Sequence, residues 1–133
     1  MTKDNCLRNA RAEMGAALDA LKAADALLGL GVLRDAMSRA YYAAFHSARA
    51  LLLLEGHEAK THAGVARLFG DHVIAEGRMD RRHTLVLTRL LAYGQASDYA
   101  YSFEVAPEDV RDEVDAAREF VERAKVLVDL TSV

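Results

Sequence analysis

Ser38-Arg39-Ala40-Tyr41-Tyr42-Ala43-Ala44-Phe45-His46 is the stretch on which the reading of this chain turns. Alanine and aromatic residues set it in a helix, and seven helical steps bring His46 back to within about 20° of Arg39. Tyr42 falls between them on the same face, while Tyr41, Phe45 and Leu52 form a neighbouring stripe. Arginine, tyrosine and histidine on an otherwise apolar helix are costly to bury unless they are paired or line a groove. That anomaly makes the stretch a candidate site as well as a fold marker.

Outward from it, the helix is expected from about Val32 to Glu55, ending at Gly56. With Leu51 to Leu54 included it is apolar around much of its circumference, as befits a helix in the middle of a bundle. Before it, a first helix is expected from about Cys6 to Leu28. Asn5 or Asp4 is its candidate N-cap, Gly29 and Gly31 close it, and Met14, Leu18, Leu21, Ala24 and Leu28 form its inner face. After it comes a third helix over about Thr61 to Glu76, capped by Thr61 and stopped at Gly77, with Val65, Leu68, Phe69, Val73 and Ile74 inward. A basic turn, Arg78 to Arg82, leads to a fourth helix over about His83 to Tyr101, with Leu85, Leu87, Leu90 and Leu91 inward. The fifth begins near Pro107, a favourable first-turn position. Glu108, Asp109, Asp112 and Glu113 place negative charge near its positive end, and Val110, Val114, Ala117, Phe120, Val121, Ala124 and Leu127 form its buried stripe. Connections of a few residues make sequential helices antiparallel. The expected fold is all-α, an up-and-down antiparallel bundle of four to five helices in a single domain spanning 1–133.

Composition agrees. A chain of 133 residues, 52% hydrophobic, suits one domain with a real core. Alanine and leucine dominate, Pro107 is the sole proline and tryptophan is absent. Cys6 is the sole cysteine, which excludes an intramolecular disulfide and a four-cysteine zinc site and favours a reducing compartment. The start of the chain lacks the apolar centre of a signal peptide, and the longest apolar run is far short of the roughly 20 residues of a membrane span. A cytoplasmic protein without membrane attachment is expected. The net charge of −3 argues against nonspecific nucleic-acid binding by the whole surface. Its distribution is uneven: nine basic against six acidic side chains over 31–92, and four against ten over 93–133.

The string from Ser38 through Leu54, followed by Gly56 and Lys60-Thr61-His62, resembles the HEPN superfamily, and Ser97-Asp98-Tyr99 is similar to an Ala-Asp-Tyr in one of its branches. The resemblance covers essentially the whole chain. It implies a helical bundle, commonly a homodimer, often encoded beside a minimal nucleotidyltransferase as a toxin–antitoxin pair. Active members are metal-independent ribonucleases with an arginine and a histidine four to six residues apart, a pattern that Arg39 and His46 satisfy. The chemistry is sound: histidine can take the proton of a ribose 2′-hydroxyl, and arginine can grip the phosphate and stabilise charge on its oxygens. Arg39 and His46 are then the catalytic candidates, Ser38, Tyr42, Asp98 and Tyr99 the candidate contacts to an RNA substrate.

Two readings stay open. In well-studied nuclease members the arginine–histidine motif lies on a helix nearer the C-terminus, whereas here it lies on the second. Arg39 and His46 could instead bond to Asp98, Tyr99 or a backbone carbonyl and set helix register, in a non-catalytic module that docks a nucleotidyltransferase or binds a nucleotide. His57, His62, His72 and His83 form no pair at the i, i+4 spacing of a helical metal site, and no glycine-rich phosphate loop is present. No metal or cofactor is expected.

Overall fold

The computed structural model describes residues 2–99 and 106–131, with side chains described for 2–92 and 106–131. Among the described residues every regular element is helical: α1 Lys3–Gly29, α2 Leu33–Leu54, α3 His62–Leu68, a π-helical turn Phe69–Ile74 that continues α3, α4 Arg81–Tyr99 and α5 Pro107–Asp129. The all-α bundle is as expected, with α2 at its centre. It packs against α1, α3, α4, α5 and the π-helical turn, and α5 also closes on α1.

Alanine decides how close the helices come. Ala10, Ala17 and Ala24 on α1 and Ala36, Ala40, Ala43, Ala44, Ala48 and Ala50 on α2 are all fully buried, and small side chains let two backbones approach with few voids. The larger core residues lie around this seam: Met37, Leu51 and Leu52 on α2, Val65 on α3, Phe69 and Val73 on the π-helical turn, Leu87 and Leu90 on α4, and Val110, Val114, Phe120 and Val121 on α5. Ion pairs tie the outer faces. Arg89 of α4 donates from Nε to both oxygens of the nearly buried Glu113 on α5, at 2.8 and 2.9 Å, and Arg118 of α5 pairs with Asp25 of α1.

Several local expectations need correcting. The N-cap of α1 is Thr2, whose hydroxyl accepts from the Asn5 amide at 3.2 Å, so Asn5 and Asp4 lie inside the first turn. Leu18 is partly exposed, because the buried stripe of α1 runs Leu7, Ala10, Met14, Ala17, Leu21 and Ala24. On α4 Leu85 is 65% exposed and His83 is buried. The inward positions there are 83, 87 and 90, at steps of four and three, and residue 85 stands about 200° from residue 83 around the axis. α4 continues through Gly94, and the expected end at Tyr101 lies outside the described residues.

Gly56 and Gly77 close their helices in the left-handed region, at φ 78° and 74°. Each builds a Schellman turn: Gly56 and His57 donate to Leu53 and Leu52 carbonyls, and Gly77 and Arg78 to those of Ile74 and Val73. A Cβ at Gly56 would meet open space, so the cost of Gly56→Ala is purely conformational. It is expected to lower stability by about 1–2 kcal/mol in urea denaturation, with unchanged helix content by circular dichroism.

Candidate functional site

Positions 39, 42, 46 and 49 repeat at steps of three, four and three, which lays Arg39, Tyr42, His46 and Arg49 along one side of α2. They are the part of that helix's middle not covered by neighbours, while Ala40, Tyr41, Ala43, Ala44, Phe45, Ser47 and Ala48 are buried. The shared face expected for Arg39, Tyr42 and His46 is therefore present and open. The Arg39 guanidinium lies over the Tyr42 ring, its carbon 4.8 Å from the centroid, a cation–π contact that holds the charge at the surface without neutralising it.

His46 is held from a different helix. Its Nδ1 is 2.7 Å from Glu13 Oε2 on α1, and Arg49 Nη1 lies 3.7 Å from the other oxygen of the same carboxylate. An ionised carboxylate only accepts, so the bond assigns the proton to Nδ1 and leaves the Nε2 lone pair free. The His46 hydrogen bond holds the Glu13 carboxyl below its ordinary value of 4.5, against the opposing pull of burial, and the charges of His46 and Arg49 add to the lowering. A carboxyl that ionises more easily folded than unfolded contributes stability above about pH 4.5, lost as the pH falls through the lowered folded value. Thermal denaturation across the acid range should show wild type losing stability more steeply than Glu13→Gln.

Beside this stripe is an aromatic cluster on the buried side. Tyr41 is buried, and its hydroxyl lies 2.5 Å from Nδ1 of His62 in the first turn of α3. The His62 ring sits 4.5 Å from that of Phe45 and 6.1 Å, edge-on, from that of Tyr42. α3 thus reaches the site through one histidine, positioned by the Thr61 cap that accepts from the Gly64 amide at 2.9 Å.

Of the other expected site residues, Ser38 is buried at 7% exposure and stands off the open stripe. The side chains of Asp98 and Tyr99 lie outside the described residues. Glu13, Arg49 and His62 were not singled out in the sequence. Glu13 is 33 positions from His46, and nothing local to either marks the pairing. A wide cleft of about 720 Å³ lies elsewhere, between the start of α4 and α5, and is lined by Arg78, Asp80, Arg82, Glu119, Glu122 and Arg123 among others. Its three arginines face three carboxylates, so it carries no net attraction for an anion. No helix among the described residues is long and apolar enough to cross a membrane.

A sequence model of the HEPN domain matches residues 10–127. Among curated proteins, a UPF0332 protein of Pyrococcus horikoshii is 48% identical over 68 residues, which cover 51% of this chain and 48% of that protein, about half its length. A protein of Methanocaldococcus jannaschii named "Putative toxin MJ0605" is 36% identical over 105 residues, 79% of this chain and 78% of the relative. A UPF0332 protein of Thermotoga maritima is 28% identical over 97 residues, 73% of this chain and 74% of the relative.

Proposed function

Because this chain belongs to the HEPN domain family, we propose that it is the toxin of a toxin–antitoxin pair: a metal-independent endoribonuclease, homodimeric, neutralised by a minimal nucleotidyltransferase. The observation that carries the reading is the open Arg39–Tyr42–His46 stripe with Glu13 behind the histidine. The similarity to a Methanocaldococcus protein named as a toxin supports the biological role.

In this reading the phosphate of an RNA backbone is gripped by Arg39, which presents planar donors to its oxygens. Tyr42 supports the guanidinium from below and offers a face on which a base can stack. His46 Nε2 takes the proton of the ribose 2′-hydroxyl, and the 2′-oxygen attacks phosphorus. The bond to the 5′-oxygen breaks, and that oxygen leaves as a hydroxyl on receiving a proton. The products are a 2′,3′-cyclic phosphate and a 5′-hydroxyl end. Glu13 acts on this chemistry through His46: it sets the tautomer and steadies the imidazolium that forms. Arg49, at one end of the stripe, adds a second positive charge near the incoming phosphate.

The test is RNA cleavage by purified protein in the presence of a chelator, with His46→Ala and Arg39→Ala beside the wild type. RNA left intact by the wild type would overturn the proposal. Growth arrest on expression, relieved by His46→Ala, and co-purification of a co-expressed nucleotidyltransferase test the toxin and partner roles.

A second reading is favoured by one specific contact, the His46–Glu13 bond that pins α1 to α2. In a non-catalytic docking module that bond is the whole purpose of His46. Both alanine variants would then melt lower than wild type, with no activity to lose.

A further inference from the structure

We propose that Glu55, His57 and His72 form a binding site for a divalent cation of the zinc class, where the end of α2 meets the π-helical turn. The three side chains each offer one ligand atom, and those atoms all lie within 4.8 Å of one another. His57 Nε2 is 3.8 Å from Glu55 Oε2, and the His57 and His72 rings face each other at 4.0 Å and 19°. Ligands about 2.0–2.1 Å from a tetrahedral zinc stand about 3.3 Å apart, so modest side-chain rotation, which turns the two rings out of their stack, closes the set around an ion.

The backbone behind the three residues is fixed. Glu55 is the C-cap of α2 and His57 the last residue of its Schellman turn, its amide bonded to the Leu52 carbonyl at 3.0 Å. His72 sits on the π-helical turn beside the fully buried Val73, a rare helical form frequent at functional sites. Arg78 Nη2 holds Glu55 Oε1 at 2.5 Å and leaves Oε2 turned to His57. That is the kind of outer contact that orients a metal-bound carboxylate. Two imidazoles with one carboxylate select zinc, cobalt or nickel over magnesium and calcium, which prefer all-oxygen sets. Three protein ligands leave a coordination position for water. The ion would staple α2 to the π-helical turn. The site shares no residue with the Arg39–His46 stripe and does not depend on the ribonuclease reading.

The test uses tag-free protein stripped with chelator and then dialysed. Titration with Co²⁺ should give one ion per chain and the visible absorption of a low-coordinate cobalt site, and Zn²⁺ should raise the melting temperature while Mg²⁺ does not. His57→Ala and His72→Ala should each weaken Zn²⁺ binding by at least about tenfold, whereas His46→Ala should bind as wild type. Where an alanine variant fails to fold by circular dichroism, the glutamine variant replaces it. Wild type that binds neither Co²⁺ nor Zn²⁺, or a folded His57/His72 double variant that binds them undiminished, overturns the proposal.

Discussion

Replacing His46 by alanine is expected to lower the rate of RNA cleavage by about 100- to 10,000-fold, the range for loss of a positioned general base. The ring takes the proton in the transition state, and no other imidazole stands on the open stripe. Arg39→Ala is expected to be nearly as damaging, and Arg39→Lys to recover part of the loss, since an ammonium keeps the charge but not the planar fork. Glu13→Gln should fall between wild type and His46→Ala, because an amide can present its NH₂ to Nδ1 and hold the wrong tautomer. Analysis of the products should find 2′,3′-cyclic ends, and a chelator should leave the rate unchanged. Melting temperatures separate the two readings of the site. A His46→Ala protein that is inactive but melts within a degree or two of wild type supports catalysis. One that loses stability, where wild type has no activity either, supports the docking module.

Phe120→Ala is expected to cost about 3–5 kcal/mol, the largest single effect on stability. The ring is fully buried on α5, 5.3 Å from Phe69 on the π-helical turn and 5.7 Å, edge-on, from His83 at the start of α4. Three elements converge on it, so truncation opens a cavity that no single side chain can refill. For a domain of this size the melting temperature should drop by on the order of 10–20 °C. Urea denaturation with a preserved m-value would confirm loss of native packing rather than of cooperativity. The neighbouring Val126, half-exposed on the same helix, should tolerate alanine with little change.

Most of the fold was legible in the sequence because its signals are local. Gly56, Gly77, the Thr61 cap and Pro107 mark helix ends through backbone chemistry that needs no partner, and each stands where the pattern put it. Leu85 was misjudged because leucine reads as core at any position, whereas only the geometry of α4 against α2 decides which leucines face inward. The π-helical turn was hidden too, since Val65, Phe69 and Val73 at steps of four also suit an unbroken α-helix. In the candidate site, Arg39, Tyr42 and His46 could be grouped because one helix carries all three. The Glu13 bond, the Tyr41–His62 bond and the meeting of His57 with His72 join residues from separate elements. A spacing rule along one helix is blind to such contacts.

The π-helical turn makes chain length in this region a matter of direction. Its widened ring, seen where the Ala75 amide reaches five residues back to the Gly70 carbonyl at 3.2 Å, accommodates one more residue than an α-helical turn would. Removing a single residue between 69 and 74 would let the segment relax to ordinary α-helix. Everything after the deletion would then swing by roughly 100° about the axis, carrying the hinge at Gly77 and the entry to α4 with it. Among natural variants of this chain, gaps of one residue here should therefore be far rarer than exchanges of one residue for another.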